Sequence, residues 1–154
     1  HFWTLYTMTE LALAQAKTGE QVQAEQLLRE ARLTGSRVLY GREAKSAWFH
    51  MRWARALAVL GKTDEAEDER RRASEMLDRA SFAAAHPWRA RLHCIAAKIA
   101  LAQAEHAAAR QAGQACFAAL EALDQLPETY PALAEARTLA GGCHSLNKCY
   151  LIKI

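Results

Sequence analysis

The stretch LALAQAKTGEQVQA, residues 11–24, decides how this chain is read, because its pattern returns downstream. Leu11-Ala12 opens a run of helix formers, Gly19 interrupts it, and Ala24 stands five residues beyond the interruption. The same order appears in WARALAVLGKTDEA at 53–66 and in AAKIALAQAEHAAA at 96–109. Gly19, Gly61 and Ala104 lie 42 and 43 residues apart, so the chain is periodic. A period on this scale marks an array of supersecondary units. The flanking alanines let two helices cross closely, and the small residue lets the backbone reverse between them. A fourth start, Leu133-Ala134 followed by Gly141, has no second half.

The composition outside these stretches agrees. Of 154 residues, 34 are alanine, against 7 glycines and 3 prolines, which favours helix almost everywhere. The hydrophobic fraction of 51% suffices for a core. Much of it is alanine, so stability must come from many close helix contacts rather than a few large side chains. The expected helices run from Trp3 to Lys17, Glu20 to Thr34, Glu43 to Leu60, Thr63 to Ala80, Pro87 to Gln103, Glu105 to Leu126, and Pro131 to Ala140. Gly35 and Gly41 frame the clearest break, Thr63 reads as an N-cap followed by acids, and Pro87 suits a first turn. The last residues, 141–154, contain no alanine and are expected to form an atypical, flexible tail.

The net charge of +3 is small, and both signs interleave along the chain. Arg70-Arg71-Arg72 follows Glu65, Glu67, Asp68 and Glu69, which reads as a salt-bridged helix face rather than a nucleic-acid patch. No direct contact with nucleic acid and none with membrane is expected, since no apolar stretch reaches spanning length. Cys94, Cys116, Cys143 and Cys149 form no close-set framework and are expected to be reduced, in a cytoplasmic protein. The chain begins with His1, and a fragment of a longer protein is expected.

Sites for chemistry are sparse. Cys143, His144 and Cys149 supply three potential ligands without the paired spacing of a zinc site. His93 and Cys94 are neighbours on a helix and point about 100° apart, too divergent for a nucleophile and its base. His86 and His106 have no evident partner residue, and GxSxG, HExxH, Walker and GxGxxG motifs do not occur. The expectation is a chain without catalytic residues, without a metal site and without a cofactor.

The repeated pattern resembles the tetratricopeptide repeat. Met8, Leu11, Ala12, Gly19, Ala24, Leu28 and Ala31 carry the resemblance in the first copy. Trp53, Ala54, Leu57, Gly61, Ala66 and Ala73 carry it in the second, and Ala96, Ala97, Ala104 and Ala109 in the third. Tyr130, Leu133, Ala134 and Gly141 begin a fourth. His50 and Arg70 depart from it where the family has apolar residues, and Gly113 where it has a bulky one. The period also exceeds the usual length of about 34 residues. It is similar to the long-helix variant of kinesin light chains and of the tails of bacterial serine/threonine kinases and transcriptional regulators. The His86-Pro87 step is similar to that variant as well. The resemblance implies an all-α fold over residues 3–140. That fold is a right-handed superhelical array of antiparallel helix pairs, a TPR-like α-solenoid with about three repeats and a partial fourth.

It also implies a function. In the family the first helix of each pair lines a concave face. Carried over, those positions are Tyr6, Thr9, Leu13 and Lys17, then Trp48, Met51, Arg55 and Val59, then Arg91, Cys94, Lys98 and Ala102. Lys17, Trp48, Met51, Arg55, Arg91 and Lys98 are the expected partner-binding residues. No acid stands among these positions, so the expected partner is a protein or peptide of acidic or carboxylate-bearing character. The chain is thus expected to be an interaction scaffold within a larger signalling or regulatory protein. The alternative is the regulatory repeat tail of an enzyme, such as a protein kinase, whose catalytic domain lies outside this chain. An incomplete fourth pair would also expose an apolar end and permit self-association.

Overall fold

The computed structural model of the protein describes residues 2–39, 41–84, 86–123 and 131–141, and among them every regular element is a helix. The helices are α1 (Phe2–Thr18), α2 (Gln21–Val38), α3 (Glu43–Val59), α4 (Thr63–Arg79), α5 (Pro87–Ala102), α6 (His106–Glu121) and α7 (Pro131–Gly141). They fall into two compact units, His1–Phe82 and Ala83–Ile154. In the first, α1 packs on α2, α3 packs on α4, and α1 also lies against α3. In the second, α6 packs on both α5 and α7. Among the described residues, no helix is long and apolar enough to cross a membrane.

The turn inside each helix pair is the same structure three times. Gly19, Gly61 and Ala104 have φ of 88°, 74° and 60°. After α1, the Gly19 amide donates to the Ala16 carbonyl at 3.4 Å and the Glu20 amide to the Gln15 carbonyl at 2.8 Å. After α3, Gly61 donates to Ala58 at 3.1 Å and Lys62 to Leu57 at 3.0 Å. After α5, Ala104 donates to Leu101 at 3.0 Å and Glu105 to Ala100 at 2.8 Å. These paired bonds around a left-handed residue form the Schellman ending, which satisfies carbonyls a helix would otherwise leave bare. The same ending recurs after α4, with Ser81 at φ 56°.

The alanines of the repeated stretch mark where helices meet. Ala12, Ala54 and Ala97 before the turns and Ala24, Ala66 and Ala109 after them are all 2% exposed or less. The apolar residue preceding each pair is less uniform. Trp53 is buried beneath α2, with the Arg32 guanidinium 4.9 Å from its ring centroid, whereas Leu11 on α1 is 48% exposed.

Several boundaries differ from the sequence reading. α2 continues through Gly35 to Val38 instead of stopping at Thr34. Gly35 is helical and buried, and a Cβ there would stand 3.1 Å from the Phe49 ring, so it makes room for an aromatic residue of α3. The break comes later, at Gly41 with φ 68°. Thr63 is the first residue of α4, not its cap; Lys62 holds the cap position, without a side-chain cap hydrogen bond. α6 stops at Glu121, five residues short of Leu126. At Gly113 the backbone of α7 comes so close that a Cβ would lie 2.6 Å from the Leu139 carbonyl carbon. Tyr130 and the tail from 142 onward, with Cys143, His144 and Cys149, lie outside the described residues.

Candidate interaction face

In the first unit, α1 and α3 bring aromatic and cationic side chains onto one face. The Tyr6 and Trp48 rings stack with an interplanar angle of 17° and centroids 5.3 Å apart. The Arg52 guanidinium lies 4.3 Å from the Tyr6 centroid and 4.4 Å from that of Trp48. It is also ion-paired with Glu10. Phe2 extends the group, 5.2 Å from Trp48, and Lys45 Nζ stands 5.4 Å from the Phe2 centroid. A guanidinium above an aromatic face gains from the ring quadrupole while keeping its donors available along its edge. The spacing that places Tyr6 and Trp48 in register, 42 residues, is the repeat period itself.

A charge clasp centred on buried Glu69 joins α2, α3 and α4 in the same unit. Glu69, 3% exposed, receives a hydrogen bond from Arg72 at 2.8 Å and faces Arg32 at 3.7 Å. His50 Nδ1 lies 2.5 Å from the other Glu69 oxygen, and since a carboxylate only accepts, the imidazole N–H donates. The ring also stacks on Trp53 at 15°. His50, a polar departure from the resembled pattern, thus faces a buried carboxylate. Arg70, the other polar departure, donates to Glu67 at 2.8 Å and 2.5 Å, and Arg71 pairs with Asp68 at 2.7 Å. The arginine run is the salt-bridged helix face that the sequence suggests.

The six expected partner-binding residues divide between the units. In the first, Lys17 is exposed in the last turn of α1, Trp48 is half-buried in the aromatic group, and Arg55 is half-buried. Met51, 4% exposed, belongs to the core of that unit. So does Thr9, whose hydroxyl donates to the carbonyls of Leu5 and Tyr6. In the second, Arg91 is half-buried and Lys98 is ion-paired with Glu135 of α7. An acid thus accompanies Lys98 from a helix outside the positions compared in the sequence. Arg52, Phe2 and Lys45 were not among the expected residues. The aromatic spacing from Tyr6 to Trp48 and the cation one turn after Trp48 were the available signals for Arg52.

The expectation of reduced thiols is corrected for Cys94 and Cys116. Cys94 of α5 and Cys116 of α6 form a disulfide with Cα atoms 5.2 Å apart. Both are buried, among Ala90, Leu120 and Ala136. The sequence hid the pair because the two cysteines stand 22 residues apart, on successive helices whose register only the turn at Ala104 sets. Among the described residues, no cluster of three or more histidine, cysteine or acidic side chains could hold a metal. No family model, no curated protein and no solved structure matches the chain.

Proposed function

We propose that the chain is a protein-interaction scaffold built from helix pairs of the tetratricopeptide kind, with α1–α2, α3–α4 and α5–α6 as its repeats and α7 beginning a fourth. The observation that carries this reading is the threefold recurrence of one turn, Gly19, Gly61 and Ala104, at the repeat period and with the same hydrogen bonds. An array of equivalent helix pairs presents equivalent helix faces, and such faces bind extended or helical protein segments. The Tyr6–Trp48–Arg52 group supports the first helices of each pair as the binding side, since Trp, Tyr and Arg dominate the energetics of protein interfaces. The partner is a protein or peptide with acidic or carboxylate character, drawn to Lys17, Arg52 and Arg55.

A cross-linking capture experiment tests the reading. The purified chain and a variant carrying Lys17→Glu, Trp48→Ala and Arg55→Glu are compared, each checked for helicity by circular dichroism. Proteins captured by the parent chain should be lost from the variant. Identical capture profiles would remove the first-helix face from consideration.

A further inference from the structure

The first unit has an open cleft beside the aromatic group, of about 560 Å³, lined by Phe2, Trp3, Val38, Arg42 and Lys45. Phe2 and Trp3 belong to the first turn of α1, Val38 ends α2, and Arg42 and Lys45 stand at the start of α3. The floor is apolar and the rim is cationic. Trp3 is 71% exposed, which leaves a large indole in water with no core to fill. Exposed tryptophan at the edge of a concavity is a recurrent anchor of protein interfaces.

The rim charges are out of balance. Among the described residues, no acid lines the cleft. Among the described residues, no ion pair is formed by either Arg42 or Lys45, and the adjacent Glu43 is turned to Arg79 of α4 at 3.3 Å. Both cations also sit at the N-terminal end of α3, the positive end of its dipole, where a cation is disfavoured and an anion favoured. The field over the cleft thus favours a ligand that brings carboxylates. The cleft is open along its side, so it accommodates a side chain presented by a segment lying across it, not a small molecule that must be mostly enclosed.

We propose that this cleft binds an acidic segment of a partner protein, seating one large apolar side chain on Phe2, Trp3 and Val38 while neighbouring carboxylates pair with Arg42 and Lys45. The assignment rests on the scaffold reading above and locates one anchor point of its partner.

The test uses the full chain and a fluorescein-labelled peptide, Glu-Asp-Leu-Phe-Asp-Glu, followed by anisotropy. Two control peptides replace Phe with Ala or exchange the acids for lysines. Two variants, R42E with K45E and W3S, alter exposed side chains and leave the core intact; R29E, at an exposed position in the middle of α2, serves as the charge-reversal control. The peptide should bind saturably and weaken with salt. Each cleft variant and each control peptide should lower the affinity by about tenfold or more, and R29E should change it little. Equal binding of the lysine peptide would overturn the proposal, as would unchanged affinity in both cleft variants. In that second case the scaffold reading stands, because binding persists elsewhere on the chain. Absence of peptide binding together with quenching of tryptophan fluorescence by dodecanoate would reassign the cleft to fatty carboxylates. Loss of a dimer in sedimentation of R42E/K45E, without peptide binding, would reassign it to a second copy of this chain. Failure of the capture experiment as well would bring down the scaffold reading itself.

Discussion

The two units share a turn and differ in what holds their helices together. His1–Phe82 fills its interior with large side chains, Phe49, Met51, Trp53, Leu57 and Leu77, and crosses three helices with the Glu69 clasp. Ala83–Ile154 surrounds Ala90, Leu120 and Ala136 with the Cys94–Cys116 disulfide, and α7 approaches α6 directly over Gly113. The large buried side chains of the second unit, Leu92, Ile95, Ile99, Leu120 and Leu139, are aliphatic, without the buried aromatic bulk of Phe49 and Trp53, and beside them it has a very close backbone approach and a covalent link. The first uses bulk and directed charge, and has exposed aromatic surface left over for Trp3. A common turn therefore does not entail a common interior.

The largest test of this contrast is reduction. Breaking Cys94–Cys116, by a phosphine or by replacing both residues with alanine, should cost the second unit about 3 kcal/mol, the entropy of reopening a loop of this length. The first unit should be unaffected. Hydrogen exchange read helix by helix separates the two, and equal loss in α3 and α5 would break the distinction.

Next comes the close approach. Gly113→Ala should destabilise α6 and α7 by about 2 kcal/mol, because the new methyl meets backbone that cannot turn aside. Gly35→Ala in the first unit should be nearly neutral. Its methyl meets an aromatic edge that can yield by a few tenths of an ångström, and the gain in helix propensity of about 1 kcal/mol offsets the strain. Denaturant unfolding of the two variants measures the difference directly.

The clasp gives a somewhat smaller effect in the first unit alone. Glu69→Gln keeps the shape but removes the charge that His50, Arg72 and Arg32 share, and should cost about 1.5 kcal/mol. Unchanged melting of the first unit would mean that bulk alone holds it.

The shared turn makes an opposed pair of predictions. Gly61→Ala forces a Cβ into a left-handed position and should cost about 1 kcal/mol, whereas Ala104→Gly relieves the same conformation and should stabilise the second unit by a similar amount. Shifts of the same sign in thermal unfolding would show that the two turns are not equivalent.

The smallest effect depends on pH. His86 caps α5 by accepting a hydrogen bond at Nδ1 from the Trp88 amide at 3.2 Å, which requires neutral imidazole. Burial, and then the nearby Arg89 cation, hold its pKa below the ordinary 6.5. The unfolded chain therefore binds the proton more readily, and stability rises with pH across this range. The contribution is complete above about pH 6.5 and is lost as pH falls through the folded value. His86→Asn should retain the cap and abolish the pH dependence of α5 amide protection.

The helices, the three turns and their period were legible in the sequence because they depend on local chemistry. Alanine and its companions favour helix wherever they stand, and a left-handed residue between two helical runs is written as Gly19, Gly61 or the small Ala104. The burial of Ala12, Ala54 and Ala97 followed from the same pattern. The face shared by Tyr6 and Trp48 was half legible, since the period aligns them, but the cation between them comes from Arg52, which no repeat position singles out. Other features depend on what arrives from a distant part of the chain. Gly35 reads as the end of a helix and Gly113 as a gap where bulk is expected, yet both are helical contact points, because Phe49 and the α7 backbone pass within reach. His50 looks misplaced until Glu69 comes opposite it, and Cys94 looks solitary until the Ala104 turn brings Cys116 alongside. The sequence by itself determined where the chain is helical and where it reverses, because those are properties of a few adjacent residues. Which side chains meet was left to the tertiary structure, because a contact across helices depends on register and crossing geometry that no single segment contains.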